Sequence, residues 1–163
     1  MIFKPPQRIT NYDGKTSIFL AGTIDNGNPN LDDWQTEFVN DVEQHSPNIY
    51  DFYNPRRENW DSELVTQFEN PVFYQQVTWE ISAMSKADII VMYFLPDSIS
   101  PITLLELGLF AESKKLIVCC PKEYWRSGNV QIVCDMFNVP LYEDINQIIE
   151  LFKLRTILQF FNR

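Results

Sequence analysis

Residues 85–121, SKADIIVMYFLPDSISPITLLELGLFAESKKLIVCCP, decide the fold. Ala87 to Leu95 is an almost continuous apolar run that includes the β-branched Ile89, Ile90 and Val91, the pattern of a strand buried on both faces. The loop PDSIS follows. Ser100 is placed to cap a helix through its hydroxyl, Pro101 pre-sets the first turn, and ITLLELGLFAES predicts a helix as far as Lys114 and Lys115. LIVCC then reads as a second short buried strand. Strand, crossover helix and strand within this length predict a right-handed parallel βαβ unit.

One residue in that unit resists a purely structural reading. At 100° per residue Glu106 projects beside Ile102, Thr103, Leu109 and Phe110, whereas Glu112 points in a solvent-like direction. In the early turns of its helix, Glu106 is expected to be kept ionised by the positive helix end while apolar neighbours desolvate it. A charged carboxylate in a dry pocket at the C-terminal end of a parallel strand suits a nucleophile or a cation stabiliser. The alternative is a side chain that reaches solvent or pairs with Lys114 or Lys115.

The rest of the chain fits the same α/β pattern. MIFKPPQRITNYDGK, residues 1–15, is Pro-rich and polar and is expected to be a surface arm. SIFLAG is the first strand, and Gly22 ends it where the backbone must turn or approach a ligand closely. The turn-rich TIDNGNPNLDD, with Thr23 and Asp25, leads to a helix capped by Asp32 or Asp33, with Trp34, Phe38 and Val42 at helical spacing. NIYDFYNP is the next strand. It runs into NPRRENWDSEL, where Arg56, Arg57 and Trp60 would suit anion binding or stacking, or form a solvated loop in which the arginines pair with acids.

NPVFYQQVTWEISAMSKAD opens with Asn70 as cap and Pro71 in the first turn. A core stripe of Phe73, Val77, Ile81 and Met84 leaves Glu80, beside Trp79, off the stripe. Glu80 would reach the ligand end of the sheet only in a tilted or long helix. Ser127, Gly128 and Asn129 stand before an apolar helix whose free amides are available to an anion or hydroxyl. A short strand in NVPLYED and a closing helix with Ile145, Ile148, Ile149 and Phe152 complete a single domain of about five parallel strands.

Composition narrows the function. The 163 residues, 45% of them hydrophobic, suffice for one full core. A net charge of −9 and a pI near 4.5 argue against nucleic-acid polymers and anionic membranes as partners. Cys119, Cys120 and Cys134 are expected to be reduced core thiols, the adjacent pair pointing to opposite faces of a strand, which suggests a cytoplasmic protein. With His45 as the single histidine, His-based triads and His-rich metal sites have no material, and no metal or cofactor is expected. GTIDNG lacks the dinucleotide spacing, and neither a phosphate loop nor a nucleophile elbow occurs. Carboxylate chemistry is left, with one acid as nucleophile and another to hold or protonate a leaving group.

SIFLAG, NPRRENWD, WEISAMSKADIIVMYF with SPITLLELG, and WRSGNV, in this order, resemble the nucleoside 2-deoxyribosyltransferase family over roughly residues 17–139. The Leu-Glu-Leu-Gly element after a buried strand is the most specific part. The resemblance implies a flavodoxin-like three-layer sandwich in which Glu106 attacks C1′ of a 2′-deoxynucleoside and forms a covalent deoxyribosyl-enzyme. A second base or water then takes the sugar. It implies that Glu80 binds and protonates the base, and that Asn129 holds the 5′ group in a neighbouring subunit, giving a homodimer or larger homo-oligomer with shared sites. Gly22, Thr23, Asp25, Arg56, Trp60, Trp79 and Ser100 complete the expected substrate-binding set. Partners would be nucleosides and nucleobases. Two positions depart from the lactobacillus-type enzymes: Ser100 stands where they carry an aspartate, and Phe19 leaves the first strand without their tyrosine. A 2′-deoxynucleoside 5′-monophosphate N-glycosidase and a non-catalytic nucleotide-sensing domain are the alternative readings.

Overall fold

The computed structural model describes residues 1–10, 14–24, 33–58 and 66–161, with side chains as far as Leu154. Strands β1 (Ile2–Phe3), β2 (Thr16–Gly22), β3 (Tyr50–Tyr53), β4 (Ile89–Tyr93), β5 (Leu116–Cys119) and β6 (Leu141–Tyr142) form one sheet in the order β1-β3-β2-β4-β5-β6. Every pairing is parallel. Helices α1 (Trp34–His45), α2 (Pro71–Lys86), α3 (Pro101–Phe110), α4 (Ser127–Phe137) and α5 (Ile145–Phe161) connect and cover it. Without β1, this is the flavodoxin-like strand order.

β4 carries the architecture because its two faces feed two cores. Ile90, Met92 and Phe94 pack with Trp79 and Ala83 of α2, Leu107 of α3 and Val130 of α4. Ile89, Val91 and Leu95 pack instead with Trp34, Phe38 and Val42 of α1 and Ile148 and Phe152 of α5. The three layers follow directly. Burial of each such aliphatic or aromatic side chain contributes roughly 1.5–3 kcal/mol against the conformational entropy of ordering it. Cys119 and Cys120 fall into opposite cores, as adjacent strand residues must, and all three cysteines are free and buried.

The sheet has six strands rather than five, and the extra one comes from the stretch expected to be a surface arm. Ile2 and Phe3 pair with Phe52 and Tyr53, and Phe3 buries its ring edge-on against Tyr53 at 5.7 Å. The Met1 ammonium anchors this edge on Asp51 at 3.0 Å. A two-residue strand has no periodicity to read.

The stripe on α2 is also displaced from expectation. Its buried residues are Gln76, Trp79, Ala83 and Met84, while Ile81 is exposed and Phe73 and Val77 are half-buried. The helix is rotated by about one residue, which turns Glu80 inward. Ala83 and Ala87 are fully buried in the core beneath the helix, and the larger Trp79 packs there against Phe19. A periodic pattern scored on large apolar residues alone misses these alanines.

Candidate functional site

Flavodoxin-like sheets bind ligands beyond the C-terminal ends of their strands, where neighbouring connections diverge to opposite faces. That point lies between β2 and β4. Gly22 ends β2 with φ +134, and a Cβ there would run into the Tyr93 carbonyl of β4, so the close approach that requires glycine is to the neighbouring strand. Thr23 follows, bonding through its amide to Tyr93 O at 3.1 Å. Its hydroxyl is hydrogen-bonded to Ser100 Oγ at 2.6 Å and Ser98 Oγ at 3.0 Å, and the two serines meet at 2.7 Å. Three hydroxyls thus tie the loop after β2 to the start of α3.

Ser100 occupies the capping position of α3 but makes no side-chain cap; its backbone is left-handed, with φ 43. That conformation is strained for a serine. The hydroxyl cluster holds it, which is why the expected cap is absent. The Thr23 carbonyl accepts from Trp34 Nε1 at 3.0 Å and Gln35 Nε2 at 3.2 Å. Gln35 Oε1 in turn accepts from Arg56 Nε at 2.9 Å, and Arg56 Nε also meets Asp33 Oδ1 at 2.9 Å. Arg56 therefore braces the loop after β3 against α1, whose cap is Asp33 rather than Asp32 among the described residues.

Glu106 lies on the second turn of α3, half-buried, and its carboxyl is pushed up to about 8, first by burial and then by the nearby Glu80 carboxylate. The expectation of a carboxylate kept ionised by the helix end is corrected. Dipole stabilisation fades beyond the first turn, while desolvation and a like charge act at full strength. Lys114 and Lys115 do not rescue it. Their ammonium groups bond instead to the Phe137 carbonyl at 3.1 Å and the Ser85 carbonyl at 2.7 Å.

Glu80 is likewise half-buried and raised by burial, offset by a hydrogen bond from Gln76 Nε2 at 2.9 Å. The same Nε2 donates to the Pro55 carbonyl at 2.9 Å, just past the end of β3. This contact places Glu80 at the ligand end of the sheet, because α2 is long enough to begin above that edge. Two acids on two helices, the Glu80 carboxylate raising the Glu106 carboxyl, can share one proton near neutral pH. Such a pair has the chemistry to supply one nucleophile and one proton donor.

The remaining candidates are dispersed. Trp79 is in the core, its indole N–H donating to the Gln7 carbonyl at 2.7 Å. Asn129 is exposed on the first turn of α4, within the helix rather than before it. Asp25 and Trp60 lie outside the described residues. Gln76, Ser98 and Gln35 were not anticipated. Gln76 was legible, since four residues before Glu80 on a helix is the same face. Ser98 and Gln35 join the site through contacts between distant loops, which no local spacing encodes.

A model of the nucleoside 2-deoxyribosyltransferase-like family matches residues 15–124. The chain belongs to this family. The match spans β2 to the loop after β5 and so includes the hydroxyl cluster, Glu80 and Glu106. Among curated proteins none matches. Of the solved structures, a conserved protein from Enterococcus faecalis V583 is similar with a TM-score of 0.60 at 12% identity, over 86% of this chain and 99% of that one. At that identity the likeness concerns the fold. As a nucleoside 2-deoxyribosyltransferase-like protein, the chain shows no group of three or more His, Cys, Asp or Glu side chains able to hold a metal among the described residues. No helix in the described residues is long and apolar enough to cross a membrane.

Proposed function

We propose that this protein transfers the 2′-deoxyribosyl group between nucleobases through a covalent ester on Glu106. The half-buried carboxyls of Glu106 and Glu80, the second raising the pKa of the first, carry the reading. The pair holds one proton, which rests on Glu106 in the unliganded protein and passes to Glu80 in the working state, leaving the nucleophile ionised. A Glu106 oxygen forms a bond to C1′ as the C1′–N bond breaks, its electron pair goes to the base, and the Glu80 proton moves to the departing base nitrogen. The acceptor base reverses these steps, with Glu80 taking the proton back. Incubation with deoxyuridine and adenine is expected to give deoxyadenosine and uracil, or a comparable pair. Absence of both exchange and base release across the common deoxynucleosides would exclude the reaction.

A second reading has a specific support. Six residues before Glu106 the chain offers the Ser100 hydroxyl, clustered with those of Ser98 and Thr23 at the α3 N-terminus, in place of a carboxylate. Hydroxyl donors at a positive helix end suit a 5′-phosphate, as a deoxynucleoside monophosphate hydrolase would need. Rates on a deoxynucleoside and its 5′-phosphate separate the two, a strong preference for the phosphate favouring hydrolysis.

Sites shared between subunits belong to the same proposal. Ile102, Leu105 and Leu109 of α3 and Ile132 and Met136 of α4 are exposed, all in the layer that carries Glu106. Such apolar surface beside an exposed Asn129 supports a second copy of the chain as the cover. Mixing Glu106→Ala with Asn129→Ala after partial denaturation and refolding is expected to restore about a quarter of wild-type activity, since half of randomly paired dimers contain one intact site. An inactive mixture together with a sedimenting monomer would assign Asn129 to its own chain or to no role.

A further inference from the structure

We infer that Gln76 is a positioning residue for Glu80, holding Oε1 of the carboxyl by a hydrogen bond and so favouring Oε2 as the oxygen that carries the acid proton. This rests on Glu80 being the acid of the proposed reaction. The orientation of the amide follows from its other partner. The Pro55 carbonyl can only accept, so the nitrogen of Gln76 and not its oxygen must sit between Pro55 O and Glu80 Oε1, at 2.9 Å from each. Both N–H groups are then used. Gln76 is 5% exposed, and its Oε1 is left buried without a partner.

That orphaned acceptor marks the side chain as something other than filler. An apolar residue of the same length would pack the position without burying an unpaired polar atom. What the glutamine adds is a fixed donor to one oxygen of Glu80. The carbonyl oxygen of a carboxylic acid is a better acceptor than its hydroxyl oxygen, so an N–H on Oε1 favours the proton on Oε2. A carboxyl free to rotate would present it to the base only part of the time. The other charged groups nearby do not supply this hold. Glu106, from α3, repels a charged Glu80, and the loop after β3 brings Arg56, held by Asp33 and Gln35, and Arg57, which donates to Gln75 Oε1 at 3.0 Å.

The test compares wild type with Gln76→Met, which keeps the volume and removes the donor, and with Gln76→Asn, whose amide is too short to reach, in case the methionine variant does not fold. Glutamate labelled with 13C at the side-chain carboxyl, assigned through Glu80→Gln, reports the Glu80 titration without substrate. Loss of a donor that favours the ionised form is expected to raise the Glu80 pKa in both variants. Cleavage of deoxyadenosine, whose base departs with a proton, should fall about tenfold or more, whereas 7-methyl-2′-deoxyguanosine, whose cationic base needs none, should stay within about threefold of wild type. An unmoved Glu80 titration overturns the inference, and so does an equal loss on both substrates. Should wild type cleave neither substrate, the transfer reading fails by itself, and the titration alone upholds or overturns the hold of Gln76 on Glu80.

Discussion

Glu106→Gln is expected to lower base exchange by about four to six orders of magnitude, the scale on which removal of a covalent nucleophile acts. Glutamine keeps the shape of the side chain, and the position is half-buried on a helix whose core contact is Leu107, so circular dichroism should be unchanged. The amide has no lone pair basic enough to form the ester at C1′, whereas a merely electrostatic acid would leave a larger residue of activity. Intact-mass measurement of wild type quenched during turnover should show one added deoxyribosyl group, mapping to the peptide that contains Glu106. Exchange by the variant within about tenfold of wild type would remove Glu106 from the nucleophile's role.

The legibility of this chain divides along the range of its interactions. The βαβ unit around β4 could be read because a doubly buried parallel strand is written as consecutive apolar residues, and its helix begins at a proline. Asn70 announced α2 by side-chain bonds to the amides of Val72 and Phe73, as an N-cap asparagine does. Glu106 was legible as an acid among apolar neighbours, a local property. The ionisation state of Glu106 was not, since it depends on Glu80, 26 positions earlier and on a different helix.

The same distinction explains Ser100. Serine before proline reads as a cap, and only the meeting of Thr23 with the PDSIS loop, 77 positions away, shows that its hydroxyl has a stronger set of partners. The three-hydroxyl cluster then has two effects at once. It fixes the left-handed backbone at the head of α3, and so the direction in which α3 aims Glu106, and it closes the end of the sheet between β2 and β4. Sequence reasoning found the pieces of the site and missed the ties between them.

Those ties give the site a measurable tension with stability. Glu106 titrates at about 8 in the folded protein, against 4.5 for an unburied side chain. Its folded pKa is raised, so the native state binds the proton more tightly than the unfolded chain. The resulting stabilisation is full below about pH 4.5 and is lost as the pH rises through about 8. Glu106→Gln does not titrate. Its melting temperature relative to wild type is therefore expected to climb between pH 5 and pH 8 and to level off above pH 9, with a free-energy slope of at most about 1.4 kcal/mol per pH unit. Glu80→Gln should do less in the same window, and by removing the like charge it should lower the Glu106 pKa from about 8 toward the ordinary carboxylate range. Denaturant titrations of the three proteins at pH 5, 7 and 9 check both statements. A Glu106→Gln difference that stays constant from pH 5 to pH 9 would mean that the glutamate is solvated and ordinary, which would withdraw the physical basis for its pairing with Glu80.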